Sequence, residues 1–143
     1  MKKVMVSVIL MFFSVGMFAQ ATTDKLPKTA QDFISKHFSS LTVEKVEENS
    51  NWQIWEDEKY EVKFSNGLEV DFDENGEVLE IDSKNNESIP EAALPKNIVS
   101  YLQSNYPGIT VVSWEKQKNE QEVELSDGTE LEFDLEGNFR KID

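Results

Sequence analysis

The feature that most constrains this chain is a second copy of one stretch of its own sequence. Residues 60–82 read YEVKFSNGLEVDFDENGEVLEID, and residues 121–143 read QEVELSDGTELEFDLEGNFRKID. From Glu61 and Glu122 onward the two stretches share ten identities in twenty-two aligned positions without a gap. Such a repeat indicates duplication of one supersecondary unit, so the fold has to accommodate that unit twice.

Alternation within the repeat predicts antiparallel strands. Tyr60, Val62 and Phe64 are separated by charged side chains, and residues 68–72 alternate in the same way. This is the period of a strand that buries one face. The second copy repeats the pattern and therefore predicts the same strands.

The turn between these strands predicts their register. Residues 65–67 (SNG) favour a three-residue loop with glycine in the left-handed conformation. That loop places Phe64 opposite Leu68 and keeps the apolar side chains on one face, whereas a two-residue loop would mix the faces. Residues 126–128 (SDG) predict the same loop in the second copy. In the strand that follows the next turn, the apolar residues have opposite parity, which predicts a β-bulge.

Each copy also begins with an amphipathic helix. Residues 26–38 place apolar side chains at the spacing of one helical face, and residues 94–106 repeat this spacing. The β-branched stretches 41–46 and 109–114 predict a first strand after each helix. The predicted fold is α+β, with two tandem repeats of one helix plus about four antiparallel strands and the helices on one face of the sheet.

The N-terminal residues predict export. Residues 1–21 combine two lysines, an apolar run and small residues at its end, which indicates a secretory signal rather than a membrane span. No cysteine follows, so there is no lipid-anchor site and no disulfide. The rest fits one domain over residues 22–143, with repeat one at 26–82, a polar linker at 83–93 and repeat two at 94–143. We expect a periplasmic or secreted protein that does not insert into a membrane once the signal is removed.

Charge and composition exclude several classes of function. Without Lys2 and Lys3 the chain carries twelve basic and twenty-eight acidic side chains, a net charge of −16. Such a surface repels nucleic acid and anionic lipid and favours basic partners or cations. With no cysteine and one histidine, His37, neither thiol catalysis nor a histidine-rich zinc site can be assembled. Nothing distinguishes a catalytic pair among the many carboxylates, so we expect no enzyme, no catalytic residue and no cofactor.

Two pairs of motifs resemble a known family. The chain has Leu-Pro-Lys helix openings at residues 26–28 and 94–96, and Phe-Asp-x-x-Gly at residues 72–76 and 133–137. These resemble the PepSY-like domains of secreted bacterial proteins, which are similar in architecture to beta-lactamase inhibitor protein. The resemblance implies a continuous, curved antiparallel sheet of about eight strands with helices packed on one side. It also implies an exported, periplasmic protein of a family mostly without assigned activity, and inhibition would be an analogy alone.

The strand alternation directs one set of charged side chains to the sheet face away from the helices. Such charges are normal on a half-exposed sheet, where they oppose aggregation. The alternative is a docking surface for a protein or peptide with a basic surface, whose binding would weaken with salt. The candidate contact residues are Glu61, Lys63, Glu69, Asp71, Glu122, Glu124, Glu130 and Glu132.

The tryptophans are further candidates for partner contacts. Trp52 and Trp55 lie in about seven extra residues of the first copy. Their three-residue spacing directs them to opposite faces of an extended segment, so one is expected to be exposed as an interface anchor. Trp114, at the end of a predicted strand, is expected in the core.

A calcium loop is the alternative reading of one turn. Asp71, Asp73, Asn75, Gly76 and Asp82 match much of a calcium-loop pattern. However, the flanks alternate as strands, and Asp and Asn before Gly are what a tight turn requires. We therefore predict a turn with no metal ligands, and keep cation binding or a purely structural role in the envelope as alternatives to partner binding.

Overall fold

The computed structural model describes residues 22–50 and 57–143. Within these ranges the chain forms two α-helices, one short 3-10 helix and eight strands. The helices are α1 (Lys28–His37) and α2 (Lys96–Asn105), with the 3-10 helix at Glu91–Ala93 before α2. The strands are β1 (Val43–Glu48), β2 (Tyr60–Phe64), β3 (Leu68–Phe72), β4 (Val78–Ser83), β5 (Val111–Lys116), β6 (Gln121–Leu125), β7 (Glu130–Phe133) and β8 (Phe139–Ile142).

All eight strands form one antiparallel sheet in chain order. The order runs from β1 at one edge to β8 at the other. In the middle of the sheet β4 pairs with β5, where Ile81 lies opposite Trp114. The predicted α+β class and the predicted number of strands are therefore confirmed.

The register of both hairpins is the one that the turns predict. Val62 lies opposite Val70 in β2 and β3, and Val123 lies opposite Leu131 in β6 and β7. Gly67, in the first turn, has a φ of 91°. This left-handed conformation is the one that the three-residue loop needs, and glycine adopts it without strain.

The predicted bulges are also present. The register between β3 and β4 shifts beside Phe72, and the register between β7 and β8 shifts beside Phe133. In both places an extra residue in the later strand reverses the face on which its side chains lie.

The core combines alternate strand residues with one stripe of each helix. Phe38, directly after α1, stacks on Phe64 with ring centroids 5.2 Å apart. Tyr101 of α2 meets Phe133 edge-on at 5.4 Å. Five of the ten residues that the helical spacing places on the apolar stripes are buried, namely Ala30, Ile34, Phe38, Ile98 and Leu102. Phe33, His37, Tyr101 and Tyr106 are half-buried, and Asn105 is exposed.

A few details differ from expectation. β1 and β5 begin at Val43 and Val111, two residues later than the β-branched stretches suggest. The linker at residues 83–93 is not entirely polar in its packing, because Ile89 is 1% exposed and its N–H donates to the Val111 carbonyl at 2.9 Å. Trp114 lies in the core as predicted, and its Nε1–H donates to Gln121 Oε1 at 3.0 Å.

Candidate functional site

One line of charged side chains crosses all eight strands on the sheet face opposite the buried strand residues. Each member lies directly opposite the next across a strand pair. Cβ atoms in directly opposed positions are about 4.5–5.5 Å apart, so neighbouring side chains interact. From β1 to β8 the line consists of Glu47, Glu61, Asp71, Glu80, Glu115, Glu122, Glu132 and Lys141. We call its seven carboxylates the acidic row.

The structure brings the predicted strand residues together on this face. Four of them belong to the acidic row, namely Glu61, Asp71, Glu122 and Glu132. The other four, Lys63, Glu69, Glu124 and Glu130, lie in a neighbouring row. Asp82 and Ser113, which were not predicted, complete this row in the order Lys63, Glu69, Asp82, Ser113, Glu124 and Glu130. Trp52 and Trp55 lie outside the described residues.

Sequence reasoning missed three members of the acidic row. Glu80 is in the strand whose bulge obscures its parity, and Glu47 and Glu115 are in the first strands of the two copies, to which no face was assigned. The available signal was the pairing order: once consecutive strands are taken as neighbours, the alternation in β2 and β3 extends across the sheet.

Basic side chains compensate both ends of the acidic row. Lys63 Nζ lies 2.5 Å from Glu61 Oε1 and 3.0 Å from Glu47 Oε2. Hydrogen bonding to these two carboxylates raises the pKa of Lys63. At the other end, Lys141 Nζ lies 3.1 Å from Glu132 Oε2. Hydrogen bonding to Asp143 and Glu132 likewise raises the pKa of Lys141.

The centre of the acidic row has no such compensation. Among the described residues, Asp71, Glu80, Glu115 and Glu122 form no ion pair with a basic side chain. Asp71 Oδ1 is shielded from solvent, and no described residue donates a hydrogen bond to it. A buried acceptor without a donor is costly, so the centre is the place where a ligand would gain most.

The carboxyl pKa values reflect this environment. Burial raises the pKa of Asp71 to about 8, with further contributions from the charges of Glu58 and Glu80. Burial raises the pKa of Glu80 to about 7, with contributions from Glu58 and Glu115. Burial and Glu115 also raise the pKa of Glu122. Near neutral pH Asp71 and Glu80 therefore hold protons part of the time in place of a countercharge.

Glu58, two residues before the start of β2, completes a compact group with two members of the row. Carboxylate oxygens of Glu58, Asp71 and Glu80 lie within 4.8 Å of one another. Calcium binds oxygen ligands at about 2.3–2.6 Å, so two ligands of one ion lie within about 5 Å of each other. The group therefore has the spacing and the hard oxygen donors that calcium prefers, and it lacks the nitrogen and sulfur donors typical of zinc.

The second half of the chain carries a basic side chain at the equivalent place. In the aligned copies Asp71 corresponds to Glu132, Glu80 to Lys141 and Glu58 to Asn119. The cross-strand pair is Asp71 with Glu80 in the first half and Glu132 with Lys141 in the second. The same position of the sheet thus holds two like charges in one half and an ion pair in the other.

The loop that matches a calcium pattern forms a tight turn. Asp73 Oδ1 accepts the backbone N–H groups of Asn75 at 2.8 Å and Glu77 at 2.9 Å. Asp71 and Asp82 lie on strands rather than around the turn. One carboxylate oxygen of Asp73 therefore holds the turn, and two residues of the calcium pattern lie outside the turn.

His37 has the environment of a structural side chain. Its ring lies against Phe33, with centroids 4.7 Å apart, at the end of α1. Burial and the neighbouring Lys36 charge lower its pKa. In the part of the chain that the structure describes, no helix is long and apolar enough to cross a membrane.

Comparisons with known proteins identify relatives of this chain. A family described as beta-lactamase-inhibitor-like and PepSY-like matches residues 58–141. No curated protein matches the chain. A solved structure from Bacteroides thetaiotaomicron, provisionally described as a calcium-regulated periplasmic protein, is 40% identical, covers 86% of this chain and 94% of its own, and has a TM-score of 0.76.

Two solved structures from Bacteroides vulgatus are also similar. One is 35% identical, covers 86% of this chain and 94% of its own, and has a TM-score of 0.76. The other, of unknown function, is 36% identical, covers 85% and 94%, and has a TM-score of 0.71. Both are described provisionally as periplasmic, which confirms the predicted location of this chain outside the cytoplasm. The chain belongs to the PepSY-like, beta-lactamase-inhibitor-like family.

Proposed function

We propose that this periplasmic protein is a non-enzymatic binding module, and that its acidic row binds a protein or peptide with a basic surface. The observation that carries the proposal is the uncompensated centre of the row at Asp71, Glu80, Glu115 and Glu122. The family's inhibitor-like fold supports a binding role, because such a fold presents an open sheet. A purely structural role would leave this group of half-buried carboxyl side chains without a countercharge unexplained.

The second half of the sheet indicates how a partner would bind. Glu132 holds Lys141 at 3.1 Å and Arg140 at 3.6 Å, so this half supplies its own basic side chains. A partner lysine or arginine placed between Asp71 and Glu80 would make the same contacts in the first half. Charge-assisted hydrogen bonds at partly desolvated carboxylates are among the stronger polar contacts. The neighbouring row from Lys63 to Glu130, with Trp52 and Trp55, belongs to the same proposed surface.

A defined basic peptide tests this proposal. The mature protein would be titrated with a peptide that alternates lysine and serine, at low and at moderate salt. The site variant is Glu80→Lys with Glu115→Lys. The control is Glu74→Lys with Glu136→Lys, which changes the net charge equally at two exposed turn residues.

We expect the parent and the control to bind the peptide with similar affinity, and the site variant to bind it about tenfold more weakly. Moderate salt should lower the affinity of all three proteins for the peptide. Capture from an envelope extract with the same three proteins would then identify the natural partner. Equal loss of binding in the control would show that only net charge matters, and would overturn the assignment to the row.

Calcium is a second candidate ligand, favoured by one specific observation. The oxygens of Glu58, Asp71 and Glu80 are close enough for one ion to bind all three. The Bacteroides thetaiotaomicron relative, provisionally described as calcium-regulated, supports this reading. Because Asp71 and Glu80 hold protons near neutral pH, calcium binding would release protons.

Calorimetry in two buffers of different ionisation enthalpy would measure this proton release. Calcium is expected to raise the Tm of the parent and of the control Glu132→Gln. It is not expected to raise the Tm of Glu80→Lys, because this variant has a lysine where the second half has Lys141. An unchanged Tm in the parent with calcium would remove this candidate and leave the peptide proposal standing.

We infer the same domain organisation that the repeat predicts. Residues 1–21 form a cleaved signal, and repeats 26–82 and 94–143 are joined by linker 83–93. Equivalent contacts of Phe33 in α1 with Phe72 and of Tyr101 in α2 with Phe133 support helices on one face of the sheet. Mass spectrometry of the exported protein would give the cleavage site.

A further inference from the structure

Asparagine precedes a turn glycine twice in the first copy, at residues 66–67 and at residues 75–76. In such a pair the backbone nitrogen of the glycine can attack the side-chain amide of the asparagine, because glycine has no side chain to obstruct the approach. The second copy has Asp127 and Glu136 at the aligned places. Its turns therefore lack the amide that reacts.

The N–H groups of both glycines take part in a backbone hydrogen bond. The Gly67 N–H donates to the Phe64 carbonyl at 3.0 Å, and the Gly76 N–H donates to the Asp73 carbonyl at 3.1 Å. Each bond must open before the nitrogen can react. Because the two bonds are alike, they do not distinguish the two turns.

The side chain of Asn66 is held in the orientation that the reaction needs. Its Oδ1 accepts the Leu68 N–H at 3.1 Å. The ring that this hydrogen bond closes contains the Gly67 nitrogen, so the side-chain carbonyl is folded back toward the atom that attacks it. Attack makes Oδ1 negative, and a donor already directed at that oxygen stabilises the new charge.

The corresponding donor is occupied in the turn of Asn75. The Glu77 N–H follows Asn75 by two residues, as the Leu68 N–H follows Asn66, but it donates to Asp73 Oδ1 at 2.9 Å. The Asp73 carboxylate also opposes the formation of an anion beside it. The group that would stabilise a charge on Asn75 Oδ1 is therefore engaged elsewhere.

The surroundings of the two glycines reinforce this difference. Gly76 is buried, and a Cβ added there would lie 2.8 Å from the Ala30 nitrogen of α1. The peptide before Gly76 therefore cannot rotate without moving the helix. A Cβ added to Gly67 would meet Nδ2 of Asn85, which is the end of an exposed side chain that can move away.

We propose that Asn66 is a site of spontaneous deamidation in the folded protein, and that Asn75 reacts far more slowly. The Gly67 nitrogen loses its proton and forms a bond to Asn66 Cγ, while the bond from Cγ to the side-chain nitrogen breaks. Ammonia leaves with the proton, and a five-membered succinimide ring remains. Water then opens the ring at one of its two carbonyl carbons, which gives an aspartyl or an isoaspartyl residue.

The aspartyl product fits the turn, because the second copy already contains it. Asp127 takes the place of Asn66, and its Oδ1 accepts the Thr129 N–H at 3.0 Å. Hydrogen bonding to Thr129 lowers the pKa of Asp127, so the carboxylate is charged at neutral pH. The isoaspartyl product instead adds a methylene group to the backbone and cannot keep the three-residue loop. Both products add one negative charge, but only the second disturbs the hairpin.

Exposure alone predicts the opposite order of reaction, since Asn75 is exposed and Asn66 is half-buried. The second copy supplies controls that remove this difference. Asp127→Asn creates Asn-Gly in the three-residue loop, and Glu136→Asn creates it in the tight turn, where the Asn138 N–H donates to Asp134 Oδ1 at 2.8 Å. Both substituted positions are exposed, so they differ in the turn and not in accessibility.

Peptide mapping by mass spectrometry would follow the reaction in the parent and in the variant that carries both substitutions. The folded mature proteins would be incubated at mildly alkaline pH in water enriched in heavy oxygen, which labels each residue that forms through ring opening. We expect positions 66 and 127 to convert at least about tenfold faster than positions 75 and 136. In urea, where the turns are lost, the four rates should become similar.

Circular dichroism would establish that both proteins are folded before incubation. Equal rates at positions 66 and 75 in the folded parent would overturn the proposal, and so would equal rates at positions 127 and 136. A difference that persisted in urea would place its cause in the neighbouring sequence rather than in the turn, which would also overturn it. The reaction requires no ligand on the acidic row, so it is expected whether or not that row binds a partner.

Discussion

Asp71 and Glu132 occupy the same position in the two halves of the chain, yet Asp71 faces Glu80 and Glu132 faces Lys141. Directly opposed like charges on a sheet are destabilising, and opposed unlike charges are stabilising. The raised pKa of Asp71, about 8, is the response of a buried carboxyl that has carboxylates for neighbours. One residue at position 80 therefore decides whether this part of the surface lacks a countercharge.

Glu80→Lys should reproduce the ion pair of the second half in the first. We expect the free energy of unfolding at pH 8 to increase by on the order of 1 kcal/mol, because a like-charge pair becomes a partly exposed ion pair. Urea denaturation measures the change. The reverse substitution in the second half, Lys141→Glu, should lower the free energy of unfolding by a similar amount. If both substitutions raised this free energy, or both lowered it, the charge of the residue opposite Asp71 or Glu132 would not be its cause.

The acidic row should also make the protein less stable as the pH rises above neutral. A carboxyl whose folded pKa exceeds its unfolded value binds protons more strongly in the folded state, so the free energy of unfolding falls as pH rises toward the folded pKa. Asp71 and Glu80, with folded pKa values of about 8 and about 7, are of this kind. Between pH 6.5 and pH 8.5 we expect a loss on the order of 1 kcal/mol, after allowance for solvent screening.

Groups with lowered pKa values titrate below this interval. His37, with its lowered pKa, increases stability as pH rises, but only below its ordinary value of 6.5. Asp127 and Asp134 have lowered pKa values because of hydrogen bonds within their turns, and their contribution is lost only in acid. Thermal denaturation of the parent and of Asp71→Asn tests the assignment. The variant should show the smaller pH dependence, and an equal dependence would place its origin elsewhere.

At the scale of the elements, each half of the chain has a turn glycine that lets its helix pack closely against a hairpin. Gly76 has a φ of 82°, and a Cβ added there would lie 2.8 Å from the Ala30 nitrogen of α1. Gly137 has a φ of 84°, and its added Cβ would lie 2.9 Å from Asn97 Cβ of α2. Backbone conformation and close approach together require glycine at both places.

Gly128 provides a control that separates these two effects. It has a φ of 85°, but nothing lies within 4 Å of an added Cβ. Gly128→Ala should cost about 1 kcal/mol from backbone strain alone, and Gly76→Ala about 2–4 kcal/mol because α1 must also move. Chemical denaturation of both variants measures the difference. Equal costs would show that the helix does not depend on this close approach.

The local patterns predicted the strands and turns because each depends on neighbouring residues. The parity of Val62 and Val70 and the turn at residues 65–67 were sufficient for the hairpin register. They were not sufficient for Glu80, because a bulge depends on how two strands pair and not on either strand alone. The pKa shifts could not be predicted at all, since burial and the approach of Glu58 arise only in the folded chain.

At the scale of the whole molecule, β4 and β5 connect the two halves into one sheet. Three residue pairs link the strands, with Ile81 opposite Trp114 at the centre of the contact. Ile81 is 0% exposed and Trp114 is 5% exposed. A repeat whose copies merely followed one another could unfold in two steps, but this shared core couples the halves.

Ile81→Ala tests that coupling, because it removes buried methyl groups at the place where the halves meet. We expect a loss of about 3 kcal/mol in the free energy of unfolding, since a cavity opens beside Trp114. Ile142→Ala, at an exposed position on the outer strand, should cost less than about 0.5 kcal/mol. Amide signals of Val62 and Val123, one in each half, should disappear together as urea is added to either variant. Separate transitions for these two signals in the parent protein would show that the sheet is continuous in structure but not in cooperativity.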